Sequence, residues 1–458
     1  MATPALETVV TELTAKFSGQ LLLPKDVGYD EARRVHNGLI DKRPLLIARC
    51  HGVSDVVNSV KFARARELEV AVRGGGHNVA GRATIDAGMM IDLMPMKGIY
   101  VDPSRRSARA QGGVTWAEFN RETQLHGLAV TGGVVSSTGI AGLTLGGGLG
   151  WLMAKHGLAL DNLRSVELVT VDGEVLQVNE KEHPDLFWAV RGGGGNFGIA
   201  TSFEYQLHPV GPMITGGMIA YPFDRARDVL RFFRDATAEL PDEMMLFGGL
   251  IHSPDGAKLA AMVGGHFGSL ADGEKAFRPI KEFGSPLLDA IAPMGYSELN
   301  GMLDAAYPKG ALNYWKSSFL KQLTDDAMDA IIDSFSGCPT PMGQILIEHF
   351  HGAATRVGVS DTAFPHRAAG YNLVILGQWL RPEETAGCTG WARESYARLE
   401  PFMADARYVN YLGDDEPNAA LAAYGPNYQR LQEIKTRYDP TNFFHMNQNI
   451  EPLHPGVR

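Results

Sequence analysis

The chain has 458 residues, with 42 basic and 52 acidic side chains and a formal net charge of -10. An acidic chain lacks the basic surface that nucleic-acid-binding proteins need, so that class is excluded. The three cysteines, Cys50, Cys338 and Cys388, are far apart and form no CxxC pair, which argues against a disulfide framework or a structural zinc site. The length predicts about two or three domains.

The N-terminal segment has no basic stretch followed by an apolar one, and no apolar run approaches the ~20 residues of a membrane span. We therefore expect a cytoplasmic protein without a membrane partner. Glycine is the unusual residue, with 53 copies in the chain. These copies concentrate in three clusters of the first 200 residues, at 74–76, at 146–148 with Gly150, and at 192–195 with Gly198.

Around these clusters the first half alternates between short strands and helices. Strands are predicted at 46–50 and 69–72, and Ser54 is a candidate cap for a helix that runs to about Arg66. Thr115 and Glu118 have capping-box spacing, and Gly127 is expected to end the helix that they begin. Residues 166–178, with Asp-Gly in the middle, predict a β-hairpin.

The second half has longer apolar stretches. Strands are predicted at 245–252, 344–351 and 371–379, with helices at 225–240 and 325–335 between them. This pattern favours an antiparallel sheet with helices on one face. A final helix is predicted at 418–437, followed by an amide-rich segment at 443–452.

The glycine clusters suggest a phosphorylated ligand, because backbone N–H groups without a Cβ can approach an anion closely. Tight turns explain any single cluster equally well, but three clusters favour a dinucleotide. Gly193, Gly195 and Gly198 match GxGxxG, which in a Rossmann fold must begin a helix. The pattern of residues 199–205 predicts a strand instead of a helix, so we reject a Rossmann fold. His77, directly after Gly76, is either a solvated loop residue or a ligand, base or nucleophile at the cofactor.

At this point the sequence resembles a known family. Val-Arg-Gly-Gly-Gly-His-Asn at 72–78 is similar to the flavin-attachment motif of FAD-linked oxidases of the berberine bridge enzyme type, within the vanillyl-alcohol oxidase superfamily. Further matching stretches occur in the family's order, at 139–148, 157–162, 187–198, 424–425, 437–440 and 442–450.

The resemblance implies an α+β, two-domain fold with a PCMH-type FAD-binding domain at 1–207 and a substrate domain at 208–405. In the substrate domain, helices cover an antiparallel sheet, and residues 406–458 return to the first domain. It implies FAD bound covalently through His77. The other residues that it implies for cofactor binding are Arg73, Gly74, Gly75, Gly76, Asn78, Thr138, Gly139, Gly142, Gly146, Gly150, Asp161, Asn162, Gly195, Asn196, Gly198, Ile199, Asn447 and Asn449.

Two positions depart from the family pattern. Many members carry a second covalent link through a cysteine eleven residues before the central Gly-Gly-Gly, and this chain has Val135 there. Many also have a tyrosine two residues after the attachment histidine, where this chain has Val79. The resemblance therefore implies a single link, and the acid–base groups must be sought elsewhere.

The catalytic candidates are Tyr411, Gln378 and Trp379, on segments that the resemblance places over the flavin. Residues 314–316 and Glu348 are further candidates, and for all of them a core or surface role is the alternative. His349 and His351 share one strand face with Glu348 on the other, and without a further spaced ligand we expect no metal there.

The expected function is that of an oxidase that moves hydride from a C–N or C–OH carbon of a small molecule to FAD, with oxygen reduced to hydrogen peroxide. An amine is the preferred substrate because its lone pair assists hydride loss without a strong base. An alcohol or oligosaccharide oxidase or dehydrogenase, and a non-catalytic flavin-binding protein, are the alternatives. The expected partners are a small substrate and molecular oxygen, and a homodimer is kept open.

Overall fold

A computed structural model describes residues 6–416 and 419–453, and its first half forms a four-stranded, a five-stranded and a two-stranded sheet with short helices around them. The strands here are β1 (Gln20–Leu22), β2 (Leu46–Arg49), β3 (Val70–Arg73), β4 (Met89–Asp92), β5 (Ile99–Asp102), β6 (Ser107–Gln111), β7 (Leu128–Ala129), β8 (Leu163–Val169), β9 (Val175–Asn179), β10 (Ile199–Gln206) and β11 (His208–Pro209). The helices are α1 (Leu6–Thr14), α2 (Tyr29–Ala32), α3 (Val53–Ala65), α4 (Trp116–Gln124), α5 (Ile140–Gly146), α6 (Met153–His156) and α7 (Pro184–Val190).

The second half is built on one larger sheet. Its strands are β12 (Met213–Pro222), β13 (Met244–His252), β14 (Lys258–His266), β15 (Leu288–Asp289), β16 (Ala292–Gly295), β17 (Leu312–Leu320), β18 (Gln344–Phe350) and β19 (Gly370–Trp379). The helices that follow or separate them are α8 (Ala226–Thr237), α9 (Leu270–Glu282), α10 (Tyr296–Gly301), α11 (Asp325–Ser336), α12 (Thr385–Leu399), α13 (Ala419–Tyr424) and α14 (Tyr428–Tyr438).

The four-stranded and five-stranded sheets of the first half position the glycine loops. In the four-stranded sheet, of order β1-β2-β4-β3, β4 lies parallel to β2 and to β3, and β3 leads directly into the 74–76 loop. The five-stranded sheet, of order β5-β6-β10-β8-β9, is antiparallel. The predicted hairpin is confirmed as β8 and β9, and Gly173 in its turn has a φ of 72°, which favours glycine.

The large sheet is antiparallel, and its two faces contact different parts of the protein. Its path is β15-β12-β14-β13-β18-β19-β17, with β16 paired to β12. Ile345 and Ile347 face a core shared with the covering helices, to which Phe233 and Ile331 also belong. Because side chains alternate along a strand, Leu346 and Glu348 face the other way, toward the glycine loops.

Two sequence predictions of helix ends were wrong. The helix predicted to begin at Ser54 begins at Val53 after Gly52, so Ser54 is not its cap. The helix predicted at 418–437 is two helices, because Gly425 has a φ of 46° and Pro426 has no N–H to continue the first one. Asn418, its predicted first residue, lies outside the described residues. The Thr115–Glu118 capping box is confirmed at the start of α4.

The C-terminal segment returns to the first half of the chain, as α14 packs against α7. Lys435 is fully buried, and its Nζ donates to the backbone oxygens of Asn196 at 2.7 Å and Phe444 at 2.9 Å. Its charge is paired with Asp439 at 2.6 Å. Among the residues that the structure describes, no helix combines the length and apolarity needed to cross a bilayer.

Candidate active site

A cavity of about 330 Å³ lies between the glycine loops and the open face of the large sheet. Both sides contribute to its lining, so residues far apart in sequence meet there. The predicted cofactor residues that line it are Gly74, Gly75, Gly76, His77, Asn78, Thr138, Gly139, Gly142, Gly146, Gly195, Gly198, Ile199 and Asn447.

The 74–76 loop and Gly139, the residue before α5, form one wall through direct backbone contact. A Cβ added to Gly75 would lie 2.4 Å from the backbone nitrogen of Gly139, and the reverse addition gives the same distance to the nitrogen of Gly75. Neither position could therefore hold a side chain without moving the other loop. At Gly142 an added Cβ would meet no atom within 4 Å, so this residue borders open space in the cavity.

The third cluster contributes Gly195 and Gly198 to the lining. Gly198 has a φ of 154° and leads into β10, as expected from the rejection of the Rossmann fold. Asn447 of the C-terminal segment approaches Gly195, where an added Cβ would lie 2.8 Å from the Asn447 Nδ2 atom. The C-terminal segment therefore completes the wall that the glycine loops begin.

His77 is held at the cavity wall with its ring in a defined place. Its Nε2 lies 3.3 Å from the hydroxyl of Ser137, and its ring stacks on His36 with 3.8 Å between centroids. Burial, and to a lesser extent His36, lowers the pKa of His77 to about 3. The imidazole is therefore neutral at physiological pH and keeps a nitrogen lone pair for reaction.

Six predicted cofactor residues are not part of the cavity lining, and their role in cofactor binding stays a prediction. The guanidinium of Arg73 pairs with Asp92 at 2.6 Å beneath the loop. Asp161 pairs with Arg367 at 2.8 Å. The charges of Arg73 and Asp161 are thus balanced by buried partners, and both side chains lie behind the cavity wall.

The other four also have structural roles or positions. A Cβ at Gly150 would lie 1.7 Å from the carbonyl oxygen of Gly132. Asn162 donates to backbone oxygens of the α6 region, and Asn196 donates to the backbone oxygen of Gln448 at 3.1 Å. The Oδ1 of Asn449 is buried, but the residue is not part of the lining.

The side of the cavity that the large sheet forms contains a buried acid–phenol pair. Glu348 of β18 lies opposite Asn372 of β19, whose Nδ2 donates to Oε2 at 2.6 Å. The hydroxyl of Tyr411 donates to Oε1 at 2.9 Å. Burial raises the pKa of Glu348 to about 7, against the opposing effect of these two hydrogen bonds. This carboxyl can therefore take up or release a proton near neutral pH.

Tyr411 itself is a poor base in this setting. Burial and the neighbouring carboxyl of Glu348 raise the pKa of Tyr411 well above its ordinary value. The phenol is therefore protonated and acts as a hydrogen-bond donor, while the carboxylate is the proton acceptor. Sequence analysis named both residues but did not pair them, because they are 63 positions apart and meet only across the cavity.

Aromatic and aliphatic side chains surround this pair. The ring of Trp315 packs edge to face against Tyr411, with 5.9 Å between centroids, and against Tyr307, with 6.2 Å. Leu346 and Val374 continue the wall. Such a pocket excludes water around one ionisable group, and electron-rich ring faces favour a cationic or amine ligand.

Two of the three catalytic candidates lie outside the lining. Trp379 is fully buried with its Nε1 donating to Thr385 at 3.1 Å, next to α12 and away from the cavity. The Nε2 of Gln378 donates to the backbone oxygen of Ala306 at 2.8 Å. The predicted strand 371–379 is present, but the cavity ends at Leu376, so its last residues do not reach the site.

The remaining candidates on β17 and β18 lie on alternate faces of their strands, as strand geometry requires. Lys316 pairs with Asp415 at 2.8 Å, while its neighbour Trp315 lines the cavity. His349 and His351 stack on each other at 4.2 Å on the face opposite Glu348, as predicted. No group of three or more potential metal ligands occurs between residues 6 and 416 or between 419 and 453.

Arg82 and Tyr307 are among the lining residues that sequence analysis did not name. Arg82 lies in the cavity wall, and its Nη1 donates to the backbone oxygens of Met446 and Asn447 at 2.9 and 2.7 Å. Its buried Nε has no partner among the described residues. Tyr307 packs on Trp315 and donates to Gln344 at 3.0 Å. Neither residue belongs to a motif, so no local signal identified them.

Comparison with known proteins agrees with this architecture. Residues 44–179 match the family described as FAD binding domain, and residues 407–451 match the one described as berberine and berberine like. The (R)-6-hydroxynicotine oxidase of Paenarthrobacter nicotinovorans is 32% identical over 449 residues, which cover 95% of this chain and 97% of that protein. An FAD-linked oxidoreductase of Dictyostelium discoideum is 31% identical over 415 residues, covering 90% and 89%.

Solved structures show the same fold. The crystal structure of 6-hydroxy-D-nicotine oxidase from Arthrobacter nicotinovorans superposes with a TM-score of 0.87 at 30% identity, covering 98% of this chain and 99% of that one. A chitooligosaccharide oxidase superposes with a TM-score of 0.85 at 22% identity, covering 97% and 99%. The predicted α+β, two-domain FAD-linked oxidase fold is confirmed.

Proposed function

Because this chain belongs to the berberine-bridge-type family of FAD-linked oxidoreductases, we propose that it is an oxidase that removes a hydride from the nitrogen-bearing carbon of a small amine. The observation that carries the proposal is the buried Glu348–Tyr411 pair in an aromatic pocket that adjoins the glycine loops. The oxidoreductase class and FAD follow from the family, and the choice of amine rests on this pair.

The cavity fits FAD on its own chemistry. Gly142 borders open space on the glycine side of the cavity. The Nε of Arg82, which has no partner among the described residues, offers an N–H donor to an anionic or carbonyl-rich group, while the Nη2 of the same side chain pairs with Asp414 at 2.7 Å. We assign the dinucleotide to the glycine loops, Arg82 and Asn447, and the covalent link to the neutral imidazole of His77. Val135 lines the cavity where many relatives have a cysteine, so we assign one link only.

The roles of the protein groups follow from their protonation. Bound FAD would supply the hydride acceptor, and molecular oxygen would be the final electron acceptor, which gives hydrogen peroxide. Above a pH of about 7 the ionised Glu348 attracts a protonated amine and takes its proton, which frees the nitrogen lone pair. Tyr411 holds the carboxylate oriented through its hydrogen bond. The aromatic walls exclude water and stabilise positive charge on the substrate.

An alcohol substrate is the second candidate, for one specific reason. The same carboxylate could accept the proton of an O–H group, since its pKa lies near neutrality. The lining around it is mainly aromatic and aliphatic, with few groups to bind the many hydroxyls of a sugar. We therefore place simple alcohols second and oligosaccharides third.

The test is a substrate screen on the purified yellow protein. Secondary amines, simple alcohols and oligosaccharides are added without oxygen, and loss of flavin absorbance is followed. Air is then admitted, and peroxide is measured. Bleaching by amines with peroxide release would support the proposal. Bleaching by alcohols or sugars alone would refute the amine assignment, and bleaching that air does not reverse would make the enzyme a dehydrogenase.

We propose the same division of the chain as the sequence suggested, with 1–207 and 406–458 around the cofactor and 208–405 as the roof over it. Thr138 lies at the cavity wall, and its small side chain favours an oxidase in this proposal. The cytoplasmic location and the homodimer remain predictions.

A further inference from the structure

The ring of His36 covers one face of His77, and this contact has no part in the proposed reaction with substrate. The two centroids are 3.8 Å apart, and the ring planes differ by 22°. Parallel stacking at this distance points the ring nitrogens past each other, so the two rings share no hydrogen bond. His36 therefore cannot act as a base toward His77 in this arrangement, and its contact with that ring is one of packing.

His36 is itself firmly held. Its N–H donates to the backbone oxygen of Gly76 at 2.9 Å, and its carbonyl accepts from the N–H of Gly310 at 2.9 Å. The next residue, Asn37, donates to the backbone oxygen of Val79 at 2.7 Å. The segment that carries His36 is thus tied to both ends of the loop that carries His77, and also to the substrate side.

His77 has few other restraints. It follows Gly76, whose φ is 70°, and the contact of its ring with the hydroxyl of Ser137 is long at 3.3 Å. A reacting group that is misplaced by about 1 Å can lose on the order of a hundredfold in rate. The stack with His36 restricts rotation of this ring.

We propose that His36 is a positioning residue for covalent attachment of the flavin, acting by stacking on His77. The inference rests on the proposed link through His77. In the attachment step, a ring nitrogen of His77 bonds to the 8α carbon of FAD. One hydrogen leaves that carbon, one proton leaves the imidazole, and both protons and the electron pair pass to the flavin ring system. Molecular oxygen then takes up the two electrons and two protons as hydrogen peroxide.

The protonation of the pair agrees with this role. Burial, with a smaller contribution from Lys309, lowers the pKa of His36 to about 4, and the pKa of His77 is lowered to about 3. Both rings are therefore uncharged at neutral pH, so the stack is not opposed by like charges. A neutral His77 is also the form that can act as a nucleophile.

The test compares two variants that fill the same space. His36→Phe keeps a stacking ring without its nitrogens, and His36→Leu keeps apolar volume without a ring. Each holoprotein is precipitated with acid, and flavin is measured in the pellet and in the supernatant. His156→Ala is the control, because it breaks a similar pair, His156 and His208, which stacks at 3.8 Å away from the cavity.

We expect wild type, His36→Phe and His156→Ala to keep their flavin in the pellet. His36→Leu should release most of its flavin, and with added FAD its covalent fraction should grow at least tenfold more slowly. Complete attachment in His36→Leu would overturn the inference. Equal loss in His36→Phe would also overturn it, because a nitrogen would then be required. Release from the wild type would instead refute the covalent link itself.

Discussion

Tyr411 donates a hydrogen bond of 2.9 Å to Glu348, joining the C-terminal segment to the centre of the large sheet. The carboxyl has a pKa of about 7 because it is buried, and the phenol keeps that pKa from rising further. This pair gives the cavity one group that changes charge in the neutral range. Substrate chemistry and pH dependence should both depend on it.

Glu348→Gln removes the proton acceptor and keeps the volume. We expect the rate of flavin reduction by substrate to fall at least a hundredfold, since a positioned base contributes about 10²–10⁴-fold. The acidic limb of the pH profile, near pH 7 in the wild type, should disappear. Stopped-flow reduction from pH 5 to 9 measures both effects. Glu239→Gln, at an exposed position, is the control, and an unchanged limb in Glu348→Gln would exclude Glu348 as the titrating group.

The same substitution should change how the stability of the protein depends on pH. A carboxyl whose pKa is raised from 4.5 to about 7 on folding binds more protons in the folded state, so stability falls as pH rises between these values. Glu348→Gln removes this penalty, which is at most on the order of 3 kcal/mol. Because the glutamine NH2 cannot accept from Asn372 or Tyr411, the variant also loses one hydrogen bond at every pH, so the pH dependence carries the test. The Tm of the variant relative to wild type should rise between pH 4.5 and pH 8, and a constant difference would contradict the raised pKa.

Tyr411→Phe removes the hydrogen bond from Glu348. Loss of a donor to the ionised carboxylate should raise the pKa of Glu348, so the acidic limb of the activity profile should move to higher pH. At pH 9 the loss should stay within about tenfold, or roughly 1.4 kcal/mol, if the substrate is an amine. A loss of about a thousandfold, with the alkaline limb removed, would instead identify Tyr411 as the base and favour an alcohol.

His77→Ala should leave the flavin bound without a covalent link. Acid precipitation of the wild type should give a yellow pellet, because the imidazole retains the flavin, while the variant should release its flavin to the supernatant. His252→Ala, at another position in the cavity lining, is the matched control and should keep a yellow pellet. A yellow pellet from His77→Ala would show a second attachment point and contradict the single link.

Lys435→Met tests how the C-terminal segment is held. The ammonium group is fully buried and bonded to Asp439, so its loss leaves a buried carboxylate without its cation. We expect a destabilisation of about 3–5 kcal/mol. Flavin retention should also fall, because Lys435 connects the Asn196 loop to the Phe444 segment. Chemical unfolding of wild type, Lys435→Met and the exposed control Lys181→Met measures the difference, and equal midpoints would refute this role.

Much of the fold was predictable because its signals are local. Alternation in the strand around Ile345 and Leu346, the hairpin at Asp172-Gly173 and the Thr115–Glu118 cap each depend on neighbours in sequence. Errors occurred where a local rule was incomplete, as at Gly425, where one predicted helix is two. The glycine loops were identified because close backbone approach requires glycine, and Gly75 against Gly139 shows that requirement.

The sequence alone determined the family, the glycine wall and His77, because these depend on residue type at short spacing. Only the tertiary structure decided which charged residues face the cavity. Arg73 and Asp161 lie in stretches that match the family, but they form ion pairs with Asp92 and Arg367 behind the cavity wall. The pairing of Glu348 with Tyr411, and its pKa, likewise arise from burial between two distant segments. Burial and long-range contact are properties of the folded chain, so no local pattern encodes them.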